Sequence, residues 1–180
     1  NDMPVQIQKS GSSIYVSGGV QSGTTSYDWA AVKYNTSGVQ QSVKIGSGGT
    51  TNIEEVHAMA TDASGNIYLA GTVSTLTHGY DFDVIKLDSN LTIQWENTYD
   101  ASHYNDIANG IQVNASGDVY VTGSSKTSSG QSDYLTIKYN SGGTLVWTRS
   151  YDDALNGNDE ATAIALDNIG NIYITGSALT

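Results

Sequence analysis

A repeat of 52 or 53 residues is the feature that most constrains the fold of this chain. Its clearest copy runs from Asp167 to Gly176 with the sequence DNIGNIYITG, and related copies begin at Asp62 and Asn114. The tyrosines of these copies, with one from a more divergent first copy, are 53, 52 and 53 residues apart; they are Tyr15, Tyr68, Tyr120 and Tyr173. A period of this length is typical of a solenoid, a propeller or another repeat array.

Each copy has the pattern of a β-hairpin. An Asp or Asn closes one apolar strand and can accept hydrogen bonds from amides two residues on, and a Gly supplies the positive φ of the turn before a second strand returns. The first copy differs, with Lys9 at the Asp position and Gly11 one place early. We therefore expect its turn to differ from the other three.

A second block recurs with the same period about ten residues after each hairpin. It covers residues 28–34, 81–87 and 133–139, and is followed by a turn and by a fourth strand that contains Trp95 in the second repeat and Trp147 in the third. Each block begins with an aspartate (Asp28, Asp81, Asp133), which we expect to cap loop amides. Each also carries a lysine (Lys33, Lys86, Lys138), which we expect to be solvated or paired with an acid of a neighbouring repeat.

Four short strands per repeat predict an all-β fold, a β-propeller of four-stranded antiparallel blades. Residues 67–70 are apolar at both side-chain parities, so both faces of that sheet need cover, which stacking of blades around an axis provides. The predicted blades are 1–48, 49–101, 102–153 and an incomplete 154–180, about three and a half in all. Closed propellers have at least about four blades. We therefore expect part of a larger propeller, or assembly with other chains.

Composition restricts the partners and the chemistry. The chain has 20 Gly, one Pro and no Cys, which fits an all-β protein without disulfides or thiol chemistry. Its formal net charge is -11 with only seven Lys and Arg, which makes nucleic acid a poor partner. No apolar run approaches the roughly 18 residues of a membrane span.

With both blocks considered, the chain resembles the bacterial β-propeller repeat family often labelled SBBP. The motifs that carry the resemblance are residues 161–167 leading into 170–176, and residues 133–139 leading to Trp147. The first repeat departs from the pattern, with Ser42 at the tryptophan position. The resemblance implies a repeat module of a large secreted or cell-surface bacterial protein, and it carries no catalytic residues. Function does not follow from such a fold alone.

The acidic residues provide the main functional candidate. In a four-stranded meander, the loops between blades and those between second and third strands lie on one face, and this face collects 11 of the 18 acids. Clustered charge of one sign concentrates cations and basic partners. We expect a non-catalytic binding or scaffold module, with a protein or glycan partner or flanking domains of the same protein. Its possible acidic contact face consists of Glu54, Glu55, Asp106, Asp152, Asp153, Asp159 and Glu160.

Two alternatives remain open at this stage. One is a purely structural spacer in a surface protein or filament. The other is an enzyme, a lyase or glycan hydrolase, with its site at the central channel and Glu55, His57 and Asp106 as the acid and base candidates. Of the other histidines, His78 and His103 are expected in loops. No cofactor is expected, and Asp81 with Asp83 gives only a weak Asp-x-Asp signal for calcium.

Overall fold

The computed structural model of the protein describes residues 2–21, 27–46, 54–75, 79–101, 103–153 and 157–179. Within these residues the chain forms fourteen β-strands and no helix, which confirms the all-β prediction. The strands are β1 (Met3–Ser10), β2 (Ser13–Gln21), β3 (Tyr27–Asn35), β4 (Gln40–Ile45), β5 (Glu54–Thr61), β6 (Ile67–Thr75), β7 (Gly79–Leu87), β8 (Ile93–Tyr99), β9 (Asp106–Val113), β10 (Val119–Lys126), β11 (Ser132–Tyr139), β12 (Leu145–Tyr151), β13 (Asp159–Leu166) and β14 (Ile172–Ala178).

These strands form four antiparallel sheets, one for each sequence repeat. Sheet 1 is β1–β4, sheet 2 is β5–β8, sheet 3 is β9–β12, and sheet 4 is the hairpin β13–β14. Every sheet is a simple meander in which neighbours in sequence are neighbours in space. In the described part of the chain, no helix is long and apolar enough to cross a membrane.

The turn residues shape the hairpins as the repeat predicts. In sheet 2, one carboxylate oxygen of Asp62 accepts hydrogen bonds from the backbone amides of Ser64 and Asn66, both at 2.9 Å, and Gly65 has a φ of +80°. The same two bonds recur at Asn114 and at Asp167. The first hairpin differs, as expected, because Ser10 pairs directly with Ser13 across a tighter turn.

The core lies between the sheets. One face of sheet 2 packs against sheet 1 through Ile67, Leu69 and Ile85, which are at most 1% exposed. Its other face packs against sheet 3 through Tyr68 and Phe82, which are 0% exposed. The prediction that strands apolar at both parities are covered on both sides is confirmed for this sheet. Because each face removes large apolar side chains from water, this packing dominates the stability of the array.

The first strands of successive sheets lie side by side: β1 contacts β5, β5 contacts β9, and β9 contacts β13. Each carries a β-bulge, at Val5, His57, Asn109 and Thr162 respectively. A bulge adds one residue to a strand and redirects its side chain. The bulge residues therefore occupy matching places along one row of strands.

Candidate functional site

A cavity of about 660 Å³ runs along the four first strands. The bulge residues line it, together with polar side chains such as Gln8 and Gln112. Its walls come from β1, β5, β9 and β13.

Two of the bulge side chains connect one sheet to the next. His57 Nδ1 donates a hydrogen bond to the carbonyl oxygen of Ala108 at 2.8 Å, and Asn109 Nδ2 donates to that of Ala161 at 3.0 Å. A carbonyl oxygen can only accept, so the proton of a neutral His57 is on Nδ1. These matching bonds fix the sheets relative to one another, which is a structural use for both residues.

The structure brings together two of the three acid and base candidates. His57 Nε2 is 3.5 Å from Glu55 Oε2, and both side chains are partly exposed. Asp106 does not line the cavity; it is fully buried, and its Oδ2 accepts a hydrogen bond from the amide of Ala101 at 2.7 Å. A base and an acid must converge on one reacting group. The trio expected for the enzyme alternative is therefore not assembled.

The other described histidine, His103, does not line this cavity. His103 lies at a bend and pairs with Asp100, with 2.6 Å between Nδ1 and Oδ2. His78 lies outside the described residues.

The predicted acidic contact face divides into buried and exposed members. Glu54, Asp106 and Asp159 begin the first strands of sheets 2, 3 and 4 and are 6%, 0% and 0% exposed. A buried carboxylate cannot contact a partner without unfolding its surroundings, so these three contribute no accessible surface. The members left for contact are Glu55, Asp152 and Glu160, which are exposed, and Asp153, which is half-buried.

Two of these buried acids, Asp106 and Asp159, instead belong to carboxylate clusters where one sheet meets the next. One cluster consists of Asp81, Asp100 and Asp106, each of which places an oxygen within 4.8 Å of the others. Asp81 lies near the start of β7, the third strand of sheet 2. Asp152, Asp153 and Asp159 form the other cluster in the same way, between sheets 3 and 4. Burial raises the pKa of Asp106, and the nearby Asp100 adds to the effect, against hydrogen bonds from Ser125 and Ala101 that lower it. We call these groups the junction clusters.

The two aspartates of the Asp-x-Asp pattern belong to different groups. Asp81 is in a junction cluster, whereas the pKa of Asp83 is raised to about 8 by burial and by the charges of Glu96 and Glu54. Burial, with Glu96 and Asp28 nearby, likewise raises the pKa of Glu54 to about 7. Asp83 and Glu54 therefore hold their protons more tightly than ordinary carboxyl groups.

The repeated lysines also connect neighbouring sheets. Lys33 donates to the carbonyl oxygen of Ser89 at 2.8 Å, and Lys86 donates to that of Ser141 at 3.1 Å. Each acceptor lies in the turn between the third and fourth strands of the next sheet, so these two half-buried lysines contact a backbone carbonyl of the neighbouring sheet. Lys138 does pair with an acid, at 2.8 Å, but with Asp118 of its own sheet.

Comparison with known proteins adds no family assignment. No model of a known protein family matches the sequence, and no curated protein matches it either.

Proposed function

We propose that the four sheets are consecutive blades of a β-propeller, about three and a half of them, and that the chain is a non-catalytic binding or scaffold module of a larger secreted or cell-surface bacterial protein. The observation that carries this proposal is the stacking of sheet 2 between two neighbours, with the first strands side by side around one cavity. Stacked four-stranded sheets with a shared inner strand row are the arrangement of propeller blades.

The two end faces support a larger assembly. Ile7 in sheet 1 and Met59 in sheet 2 occupy equivalent positions, because each pairs with the residue that follows the repeat tyrosine on the second strand. Met59 is 2% exposed, whereas Ile7 is 66% exposed. At the other end Tyr173 is 57% exposed, whereas Tyr68 at the same repeat position is 0% exposed. The chain thus presents at both ends the side chains that its inner junctions bury. We propose flanking blades of the same protein as the cover for these faces.

The contact surface of the module is the exposed part of the acidic face. Glu55 and Glu160 are both the second residue of a first strand, and Asp152 follows β12, so all three lie at the same end of the sheets. The whole chain has a formal net charge of -11, and the exposed carboxylates at this end should attract basic partners, above all basic protein segments. Loops and strand ends on a rigid scaffold are common places for such contacts.

Two other functions, a catalytic site and a structural spacer, explain fewer of these observations than the binding module does. A catalytic site at the channel would use Glu55 and His57, but Nδ1 of His57 is engaged with Ala108 and Asp106 is buried elsewhere. A purely structural spacer would also account for the exposed apolar end faces, which suit extensive contacts with flanking domains, but it gives the exposed acids no role. The spacer differs from the binding module in needing no accessible acidic surface.

Charge neutralisation tests the binding module. We would combine Glu55→Gln with Glu160→Gln and measure binding to an oligolysine peptide at low and physiological salt. Glutamine keeps an acceptor for Asn109, which donates to Glu160 Oε1 at 3.0 Å, so the fold is preserved. We expect weaker binding and a smaller salt dependence, because two of the exposed charges are lost.

The matched control removes two charges at the opposite end of the sheets, through Asp88→Asn and Asp167→Asn. Both aspartates accept amide hydrogen bonds in turns, and asparagine already does so at matching positions, at Asn35 and Asn114. The control should bind like the unmodified chain. If the Glu55/Glu160 variant also binds unchanged, the acidic face is not the contact surface and the spacer function is preferred.

A further inference from the structure

A carboxylate pair or triad recurs at each contact between successive sheets. Between sheets 2 and 3 it is Asp81, Asp100 and Asp106, and between sheets 3 and 4 it is Asp152, Asp153 and Asp159. Between sheets 1 and 2, Asp28 and Glu54 are close enough for the charge of Asp28 to raise the pKa of Glu54. Acids at the first position of a first strand thus meet other acids three times along the chain.

At two of these junctions, one buried carboxylate oxygen has no hydrogen-bond donor among the described residues. Asp106 and Asp159 are 0% exposed, and the Oδ2 atom of each accepts one amide hydrogen bond, from Ala101 at 2.7 Å and from Asp153 at 2.8 Å. The Oδ1 atom of each is buried and has no hydrogen-bond partner in the described part of the chain. A buried charged oxygen without a partner is costly unless a counter-charge compensates it.

The same condition holds at the first junction. Asp28 Oδ1 and Glu54 Oε2 are buried and lack a hydrogen-bond partner within the described ranges. Recurrence at three junctions shows that the unsatisfied oxygens belong to the repeat and not to one irregular loop.

We propose that each of the two junction clusters binds a divalent cation of the oxygen-preferring class, Ca²⁺. Calcium takes oxygen ligands at about 2.3–2.6 Å, so two ligands on opposite sides of the ion lie about 4.8 Å apart. One oxygen from each carboxylate of a cluster lies within 4.8 Å of the others, so the three oxygens are near enough to one another to share one calcium ion. Magnesium demands a near-ideal octahedron at about 2.0–2.1 Å and gives up its water reluctantly, whereas calcium accepts an irregular set of carboxylate oxygens.

His103 is the alternative counter-charge at the first cluster. Its Nδ1 is 2.6 Å from Asp100 Oδ2, and its side chain is 72% exposed. A protonated His103 would compensate Asp100 from the solvent side, whereas Asp106 is at the buried side of the cluster. A small cation between the carboxylates reaches both.

A bound ion would join the third strand of sheet 2 to the first strand of sheet 3, and would therefore stabilise the junction. The site goes beyond the proposed contact surface, because it uses Asp106 and Asp159, which are buried, and leaves Glu55 and Glu160 unused. Either one can fail while the other holds.

The test uses the full chain after treatment with a chelator. We would titrate CaCl₂ and measure the thermal midpoint together with the number of ions bound by isothermal calorimetry. We expect a saturable rise in the midpoint and two ions per chain, with a smaller effect of MgCl₂. Asp106→Asn should remove one ion, and Asp106→Asn combined with Asp159→Asn should remove both. The Asp88→Asn/Asp167→Asn variant is the control and should bind two.

Folding of the variants is checked separately by far-UV circular dichroism without calcium. If the buried positions do not tolerate asparagine, Asp100→Asn and Asp152→Asn replace the more exposed ligands, and we expect each to weaken its site by about tenfold or more, since affinity follows the number of charged ligands. The proposal is overturned if the chain shows no calcium-dependent rise at about 10 mM, above the range of weak extracellular sites. It is equally overturned if the rise persists in folded variants that lack the cluster carboxylates.

Discussion

The repeat tyrosine allows one side chain to be compared in two environments. Tyr68 is fully buried between sheets 2 and 3, where its ring centroid is 6.3 Å from that of Trp95, whereas Tyr173 is 57% exposed on sheet 4. The Tyr68 hydroxyl donates to Asp62 at 3.0 Å. The Tyr173 hydroxyl donates to Asp167 at 3.1 Å. Tyr68→Ala and Tyr173→Ala therefore remove the same atoms and the same type of hydrogen bond, and burial is the difference between them.

The expected difference follows from the buried area. A fully buried tyrosine removes about 200 Å² from water, and at about 25 cal/mol per Å² this contributes about 5 kcal/mol as an upper value. Tyr173 retains 57% of its exposure, so its contribution is about 2 kcal/mol on the same scale. We predict that Tyr68→Ala lowers the free energy of unfolding by about 3 kcal/mol more than Tyr173→Ala does.

Urea unfolding measures this difference. Far-UV circular dichroism and tryptophan fluorescence should be followed together, because coincident curves are needed before a single free energy is extracted from a repeat protein. Tyr68→Phe and Tyr173→Phe separate the loss of the hydroxyl from the loss of the ring. Equal destabilisation by the two alanine variants, or a larger loss at Tyr173, would refute the burial of Tyr68 between stacked sheets.

Two further predictions concern ionisable groups. The pKa values of Glu54 and Asp83 are raised to about 7 and about 8, so the folded state binds more protons than the unfolded chain above their ordinary values of 4.5 and 3.8. Without calcium, the urea midpoint should fall as the pH rises from about 5.5 to about 8, and Asp83→Asn should flatten this slope; a midpoint that rises with pH would contradict the assignment. The pKa of Asp62 is shifted in the opposite direction. Burial raises it, but hydrogen bonds from Asn66, Tyr68 and Ser64 lower it overall. The ionised Asp62 carboxylate therefore stabilises the fold above its ordinary pKa of 3.8, and this stabilisation is lost as the pH falls through the lower pKa of the folded state. Asp62→Ala should destabilise the chain by about 1–2 kcal/mol at neutral pH and by less in acid; an equal loss at both pH values would show that the turn does not depend on the carboxylate.

Much of the fold could be predicted because the repeat carries it. The tyrosine spacing defined the sheets, the apolar pairs at both parities of residues 67–70 predicted burial on two faces, and the divergent turn at Gly11 was recognised from its sequence. The side-chain connections between sheets could not be predicted in this way. Whether Lys33 reaches a carboxylate or the carbonyl of Ser89 depends on where the next sheet places its turn, which spacing along the chain does not define.

The burial of the acids was missed although the period contained a signal for it. Glu54, Asp106 and Asp159 are 52 and 53 residues apart, the same spacing as the tyrosines. An acid at the start of a strand is usually exposed, and this general tendency concealed the recurrence. The bulge residues His57, Asn109 and Thr162 share the spacing as well, but differ in type, so only the structure shows that they occupy one row.

If the sheets are propeller blades, they fan out around their first strands. Because the chain has no cysteine, nitroxide pairs can be attached at introduced cysteines and their separations measured by pulsed electron resonance. One pair replaces Val43 and Glu96, which lie in the fourth strands of sheets 1 and 2, and the other replaces Gln8 and Thr61 in the first strands. We expect a longer distance between the fourth strands than between the first strands of the same two sheets. Equal distances would describe parallel sheets stacked along a line and would rule out the propeller arrangement.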